Sequence, residues 1–179
     1  MYKRQVLALT EGERVVGLAP PERASATLRD GGTLLAAGDA GPLSELGEIL
    51  EELRLVADLG ARLGRTGEVE PGEYLPELLL ARGPRVAQMV RRRVLGPLEA
   101  YAERRSSELV ETLDAFVRSG LDRRRAAAEI HVHPNTLDYR LRRIAELTGL
   151  DLRRPDDLTL VVLALRQAEL EDSGAGSFS

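Results

Sequence analysis

Cysteine and tryptophan are absent, and aromatic residues make up only 3% of the 179 residues. Without cysteine there can be no disulfide, no thiolate metal site and no thiol nucleophile. With so few rings, any core has to be built from Leu, Val, Ala and Ile. Also missing are a signal-peptide core and any apolar run near the roughly 18 residues that span a bilayer. The chain therefore reads as soluble and cytoplasmic, with no membrane partner. Lysine is almost absent too: Lys3 stands alone beside 24 arginines. It lies in MYKRQ, directly before a strand pattern, and the chain is expected to begin mid-domain.

What is present is a strong segregation of charge. The net charge is −4, which taken alone argues against a polyanionic partner. Residues 1–80, however, hold 8 basic and 14 acidic groups, residues 81–154 hold 16 and 10, and residues 155–179 hold 1 and 5. Positive charge is concentrated in the middle stretch, as nucleic-acid binding requires.

The length suits one domain or two small ones. Val6–Leu9 and Arg14–Leu18 alternate about Thr10-Glu11-Gly12-Glu13 and predict a β-hairpin. A short helix is expected over Glu22–Arg29 and a third strand over Thr33–Ala37. Leu43–Leu63 is amphipathic, with Leu46, Ile49, Leu50, Leu53, Val56 and Ala57 on one side. A turn-rich link with a short strand at Glu68–Glu70 follows. Helices at Tyr74–Ala81 and Arg85–Leu95 are divided by Gly83-Pro84, and Gly96-Pro97 breaks the chain again. Leu98–Val117 reads as one helix with Leu109, Leu113, Phe116 and Val117 inward. Pro155 opens a last helix to about Leu170. That helix is apolar nearly all round, so it should meet the upstream helices or a second subunit.

The informative stretch is Leu121–Leu150, LDRRRAAAEIHVHPNTLDYRLRRIAELTGL. Asp122 can cap a helix over Arg123–Ile130 whose inner face carries Ala126, Ala127 and Ile130. Small residues there let a second helix cross closely. His131-Val132-His133 forms the turn; glycine would be the easy residue for a positive φ, and histidine is tolerated. Pro134 suits the first position of the next helix. Leu137, Leu141, Ile144 and Thr148 make its buried stripe, and Gly149 its C-terminal stop. Asn135, Tyr139, Arg142, Arg143 and Glu146 fall opposite, with Thr136 and Arg140 on the flanks. This is the layout of a helix-turn-helix, which lays its second helix in the major groove of DNA.

The chemistry fits that geometry. Asn135 can pair bidentately with adenine, and Arg140, Arg142 and Arg143 with guanine. Tyr139 and Thr136 complete the base-reading set. Arg123, Arg124 and Arg125 open the helix that crosses the backbone and, with His133, suit phosphates. Arg140 and Arg143 have a plainer alternative as surface ion pairs with Asp138, Glu146 or Asp151. His131 and His133 lack further ligands, so a turn residue and a helix cap are expected rather than a metal site. Arg91-Arg92-Arg93 and Glu48, Glu51 and Glu52 read as solvated helix faces.

The segments ELVETLDAF, AAAEIHVHPNTLDYRLRRIAELTGLDLRRPDDL and LALR, spanning Glu108–Arg166, resemble the C-terminal DNA-binding domain of the PucR/CdaR-type bacterial transcription regulators. The most specific part is VHPNTLDYRLRRI followed by LTG-DL. Upstream, ILEELRLVADLGARLG, GEVEPGEYLPELLLA and VLGPLEAYAERRSSELVETL resemble the end of the degenerate GGDEF-like domain that precedes it in many relatives. The resemblance implies a sensory region further upstream, absent from this chain, that binds a small-molecule effector. Cyclase chemistry would need an acidic Gly-Gly turn to hold a metal beside the nucleotide. Gly31-Gly32-Thr33-Leu34-Leu35 lacks the acids, and no phosphate loop or nucleophile–base arrangement occurs elsewhere.

The sequence thus predicts a mainly α protein, a C-terminal helix-turn-helix bundle preceded by a partial α+β domain with a small antiparallel sheet. The expected domains are 1–97, 98–170 and a disordered tail at 171–179. The expected function is a non-enzymatic, cofactor-free, sequence-specific DNA-binding transcription regulator that works on double-stranded DNA as a homodimer. The alternative is a protein-interaction or dimerisation module that uses the helix-turn-helix shape without DNA.

Overall fold

The computed structural model describes residues 7–11, 14–18, 34–38, 41–42, 44–101 and 106–175. The helix expected at Glu22–Arg29 lies outside these residues. The chain divides into two compact units, Met1–Leu78 and Leu79–Ser179. The boundary expected at residue 97 falls inside the second of them.

In the first unit, β1 (Leu7–Glu11) and β2 (Arg14–Leu18) form the expected antiparallel hairpin, with Leu7 opposite Leu18. The other pairing corrects the expectation of a purely antiparallel sheet: β3 (Leu34–Ala36) and β4 (Gly67–Val69) run parallel, with Leu35 opposite Glu68. The cause is the helix between them, α1 (Leu46–Arg62), which carries the chain back to the end at which β3 began, so that both strands run the same way. Val56 and Leu59 of α1, Val69 and Tyr74 are buried. Gly60 permits the close approach of α1, since a Cβ there would meet Leu34 Cδ2 at 3.0 Å. A short 3-10 turn, Pro71–Tyr74, leads into α2 (Leu75–Arg82).

The second unit contains α3 (Pro84–Val94), α4 (Gly96–Glu99), α5 (Ser106–Arg118), α6 (Arg123–Glu129), α7 (Pro134–Thr148) and α8 (Pro155–Ala175). The single helix expected over Leu98–Val117 is broken. α4 ends in a tight turn, where the Ala100 and Tyr101 amides donate back to Gly96 and Leu98. The last helix runs on to Ala175, so residues 171–175 of the expected tail are helical, and 176–179 lie outside the described residues.

One core joins Val94, Leu95 and Leu98 to Leu109 and Leu113 of α5, Ile144 of α7 and Val161 and Ala164 of α8. α8 packs along α3, so part of its all-round apolar surface meets an upstream helix, one of the two outcomes its pattern allowed. A second cluster, Ala115, Phe116, Ala126, Ala127 and Leu137, seats α6 and α7 on α5. Among the described residues no helix is long and apolar enough to cross a membrane.

Candidate nucleic-acid interface

The site begins at the end of α5. The Leu121 amide donates to Phe116 O at 2.9 Å and the Gly120 amide to Val117 O at 3.0 Å, the paired closure that ends a helix on a left-handed residue. Gly120 supplies that conformation at φ 73°, and Leu121 follows it at φ 67°. Leu121 packs in the same cluster as Phe116, which holds it there. The next residue, Asp122, caps α6: its carboxylate accepts the Arg124 and Arg125 amides at 2.8 and 3.0 Å. Those bonds, that from Arg125 foremost, hold the carboxyl below the usual carboxylate range.

Ala126 and Ala127 are wholly buried where α7 crosses α6. The α6–α7 turn repeats the closure seen at Gly120: Val132 N–H donates to Ala127 O at 2.9 Å and His131 N–H to Ala128 O at 3.3 Å. Here the left-handed residue is His131, at φ 54°, in place of a glycine. His133 is the N-cap of α7, its Nδ1 accepting the Asn135 amide at 3.2 Å. Pro134 occupies the first turn, and Gly149 closes the helix at φ 68° with its amide on Ala145 O. Leu137, Ile144 and Thr148 are buried and Leu141 partly so, which is the stripe expected from spacing.

The expected contact residues divide into two groups. Asn135, Thr136, Tyr139 and Arg142 are exposed on α7, Tyr139 at 54%. Arg142 donates through Nε to Asp138 O of its own helix at 3.3 Å. Arg124, Arg125 and His133 are exposed beside them, and Arg123 pairs with Asp138 at 3.0 Å while lying over the Phe116 ring. Arg140 and Arg143 are instead engaged by the protein. Arg140 Nη2 lies 2.8 Å from Glu108 Oε2 and Nη1 3.3 Å from Thr112 Oγ1, both on α5. The Arg143 guanidinium stacks 4.3 Å from the Tyr101 ring centre and binds Glu146 at 2.8 Å. The Glu146 hydrogen bond, then Tyr101, raises its pKa above the ordinary arginine value.

Glu108, Thr112 and Tyr101 were not singled out by the sequence, and Arg93, expected on a solvated helix face, instead donates to Thr148 O at 2.8 Å near the end of α7. The Arg143–Glu146 pair is one of the plainer partners weighed from sequence. Glu108 as the partner of Arg140 is not: it lies 32 residues away. A buried threonine on the apolar side of α5 was the one available signal.

Residues 109–167, which hold the α6–α7 pair, match the PucR C-terminal helix-turn-helix domain family. The chain is 33% identical over 121 residues to the transcriptional activator PmfR of Paenarthrobacter nicotinovorans, covering 65% of this chain and 26% of PmfR. It is 44% identical over 61 residues to the carbohydrate diacid regulator of Escherichia coli strain K12, covering 34% and 16%. It is also 30% identical over 77 residues to the DNA-binding transcriptional activator AdeR of Bacillus subtilis strain 168, covering 43% and 18%. The chain therefore spans about a quarter or less of the length of these relatives. A solved structure, a regulator of polyketide synthase expression from Bifidobacterium adolescentis, aligns over 94% of this chain and 73% of its own, at 24% identity and a TM-score of 0.44. That likeness is too loose to argue from.

Proposed function

We propose that the chain is the DNA-binding portion of a sequence-specific bacterial transcription regulator, with α7 lying in the major groove. The carrying observation is the PucR-type α6–α7 pair, whose second helix buries one stripe and exposes Asn135, Thr136, Tyr139 and Arg142 on the other. In this reading those four side chains meet base edges, with Asn135 suited to adenine and Arg142 to guanine. Arg123, Arg124, Arg125 and His133 meet the phosphates that fix the register. The names of the relatives support transcriptional control, and a cytoplasmic setting is part of the same proposal.

The finer parts of the reading rest on sequence. Residues 1–97 are proposed as a partial, non-catalytic GGDEF-like domain, because the sequence Gly31-Gly32-Thr33-Leu34-Leu35 lacks the acids that cyclase chemistry needs. The whole regulator is proposed as a homodimer on paired half-sites about 34 Å apart, taking its effector in a region outside this chain.

Selection of bound duplexes from a randomised pool tests the central claim. The parent chain should enrich a defined site, and Asn135→Ala should lose preference at one base position, about 1–3 kcal/mol, while keeping its non-specific affinity. A parent chain that enriches nothing would instead favour a protein-interaction module.

A further inference from the structure

We infer that Arg140 is a positioning residue for DNA reading rather than a base contact, acting through Glu108 and Thr112 to set the angle at which α7 is presented. The inference rests on the proposed function and assigns work within that same site.

Helical geometry comes first. Arg140 follows Leu137 by three residues and, at about 100° per residue, lies about 60° from that wholly buried side chain. It flanks the packed stripe instead of facing outward as Tyr139 and Arg142 do. Its side chain is accordingly only 16% exposed. The two guanidinium nitrogens reach different acceptors on α5, Glu108 Oε2 at 2.8 Å and Thr112 Oγ1 at 3.3 Å. Thr112 is fully buried and spends its own proton on Glu108 O at 2.6 Å. Its oxygen is thereby left as an acceptor aimed at Arg140.

Turning Arg140 toward a guanine would break both bonds and leave the Glu108 carboxylate uncompensated near the phosphates. Two further arginines hold α7 at other levels. Arg143 is stacked on Tyr101, and Arg93 of α3 binds Thr148 O. Three arginines thus fix the helix against α3, α4–α5 and α5, whereas exposed Arg142, among the described residues, bonds within its own helix. A planar fork with several donors suits this bracing, which lysine cannot reproduce.

The roles of reader and brace predict opposite results for Glu108, a residue not expected to touch DNA. Removing a carboxylate beside the interface ought to strengthen binding to any duplex if charge alone mattered. If Arg140 is a brace, Glu108→Gln should weaken binding to the enriched site about tenfold, the equivalent of about 1.4 kcal/mol, and blur preference across all base positions together. Arg140→Ala should blur the same positions. The double variant should be little worse than either single one, because both remove one interaction. Arg140→Lys should not rescue.

The experiment is selection from randomised duplexes with the parent chain, Glu108→Gln, Arg140→Ala and the double variant, with melting temperatures as a control for folding. Loss of preference at a single base pair in Arg140→Ala, with Glu108→Gln silent or tighter, overturns the inference and leaves the DNA-binding reading intact. A parent chain that binds no duplex overturns both. If either variant fails to fold, Thr112→Ser, which keeps the acceptor, and Thr112→Val, which deletes it, carry the same comparison: equal site preference in the two overturns the brace.

Discussion

The imidazole of His133 caps α7 by accepting the Asn135 amide on Nδ1 at 3.2 Å, so its remaining nitrogen, Nε2, carries the proton. One residue thereby closes the helix and presents a donor at its N-terminus. Aspartate is a better cap and complements the helix dipole. His133→Asp is therefore expected to raise stability by about 0.5–1 kcal/mol while weakening duplex binding through repulsion from phosphate. Denaturant melts and DNA titrations on one preparation check it; a variant that gains both stability and affinity would remove His133 from the backbone contacts.

His131 adopts φ 54° where this closure usually holds glycine. A left-handed L-residue costs about 1–2 kcal/mol, and glycine gives back about 0.5–1 in unfolded-chain entropy. His131→Gly should therefore stabilise by about 0.5 kcal/mol, the difference between those two terms. Gly149→Ala is the converse case. Its φ is 68° and a Cβ there meets nothing within 4 Å, so a backbone cost of about 1 kcal/mol or more remains. Thermal melts of both variants should move in opposite directions.

Ala127 is 2% exposed at the α6–α7 crossing, while the next residue, Ala128, faces solvent. Leucine at 127 has to push the helices apart, and overpacking of this kind costs about 1–3 kcal/mol. Ala128→Leu should stay within about 0.5 kcal/mol of the parent. Equal losses at both positions in urea melts would mean that close approach is not what the alanines provide.

The α6–turn–α7 unit was legible because its signals are local: a cap at Asp122, Pro134 at a helix start, Gly149 at a stop and apolar residues at helical spacing. The break after α4 was not, since no glycine or proline stands between Leu98 and Val117. It comes from tertiary packing, with Leu98 buried in the core and Tyr101 lying under Arg143. Three-residue strands carry too little periodicity to state their pairing, so the parallel β3–β4 direction was missed although the helix expected over Leu43–Leu63 already lay between them. The exposed readers on α7 followed from helix geometry. The bracing of Arg140 did not, because its acceptors are set by how α5 crosses α7.

Two carboxylates should bend the acid stability profile in opposite senses. Asp122 has its pKa lowered chiefly by the Arg125 amide, with the Arg124 amide adding to it against an opposing effect of desolvation. Its stabilisation is present above the ordinary aspartate value and is lost as pH falls through its lower folded value. Asp114 is raised, chiefly by burial, then by Glu169 and Glu129 against the opposing Arg118. Its contribution is present below the ordinary value and is lost as pH rises through its higher folded value. Asp122→Asn, which keeps the capping oxygen, should retain stability at low pH better than the parent. Asp114→Asn should retain it better as pH rises toward neutral. Unfolding measured from strongly acidic to neutral pH separates the two, and identical profiles for the parent and both variants would contradict the assignment.

Arg124 and Arg125 sit exposed in the first turn of α6, their amides committed to Asp122 and, among the described residues, neither guanidinium bonded to an acceptor. A side chain that meets a phosphate contributes to affinity by releasing condensed counterions, whatever the base sequence. Each contact adds about −0.9 to the slope of log K against log salt. Arg124→Ala should therefore weaken binding to enriched and scrambled duplexes by the same factor and reduce that slope by about 1. Arg125→Ala should do the same if both reach the backbone, and the pair should lower the slope by about 2. Asn135→Ala offers the contrast, with the slope unchanged and the preference at one base pair lost. Titrations at several salt concentrations on both duplexes decide between these patterns. A slope unchanged by the double substitution would mean that α6 does not cross the phosphate backbone, and would move the α6 arginines out of the interface.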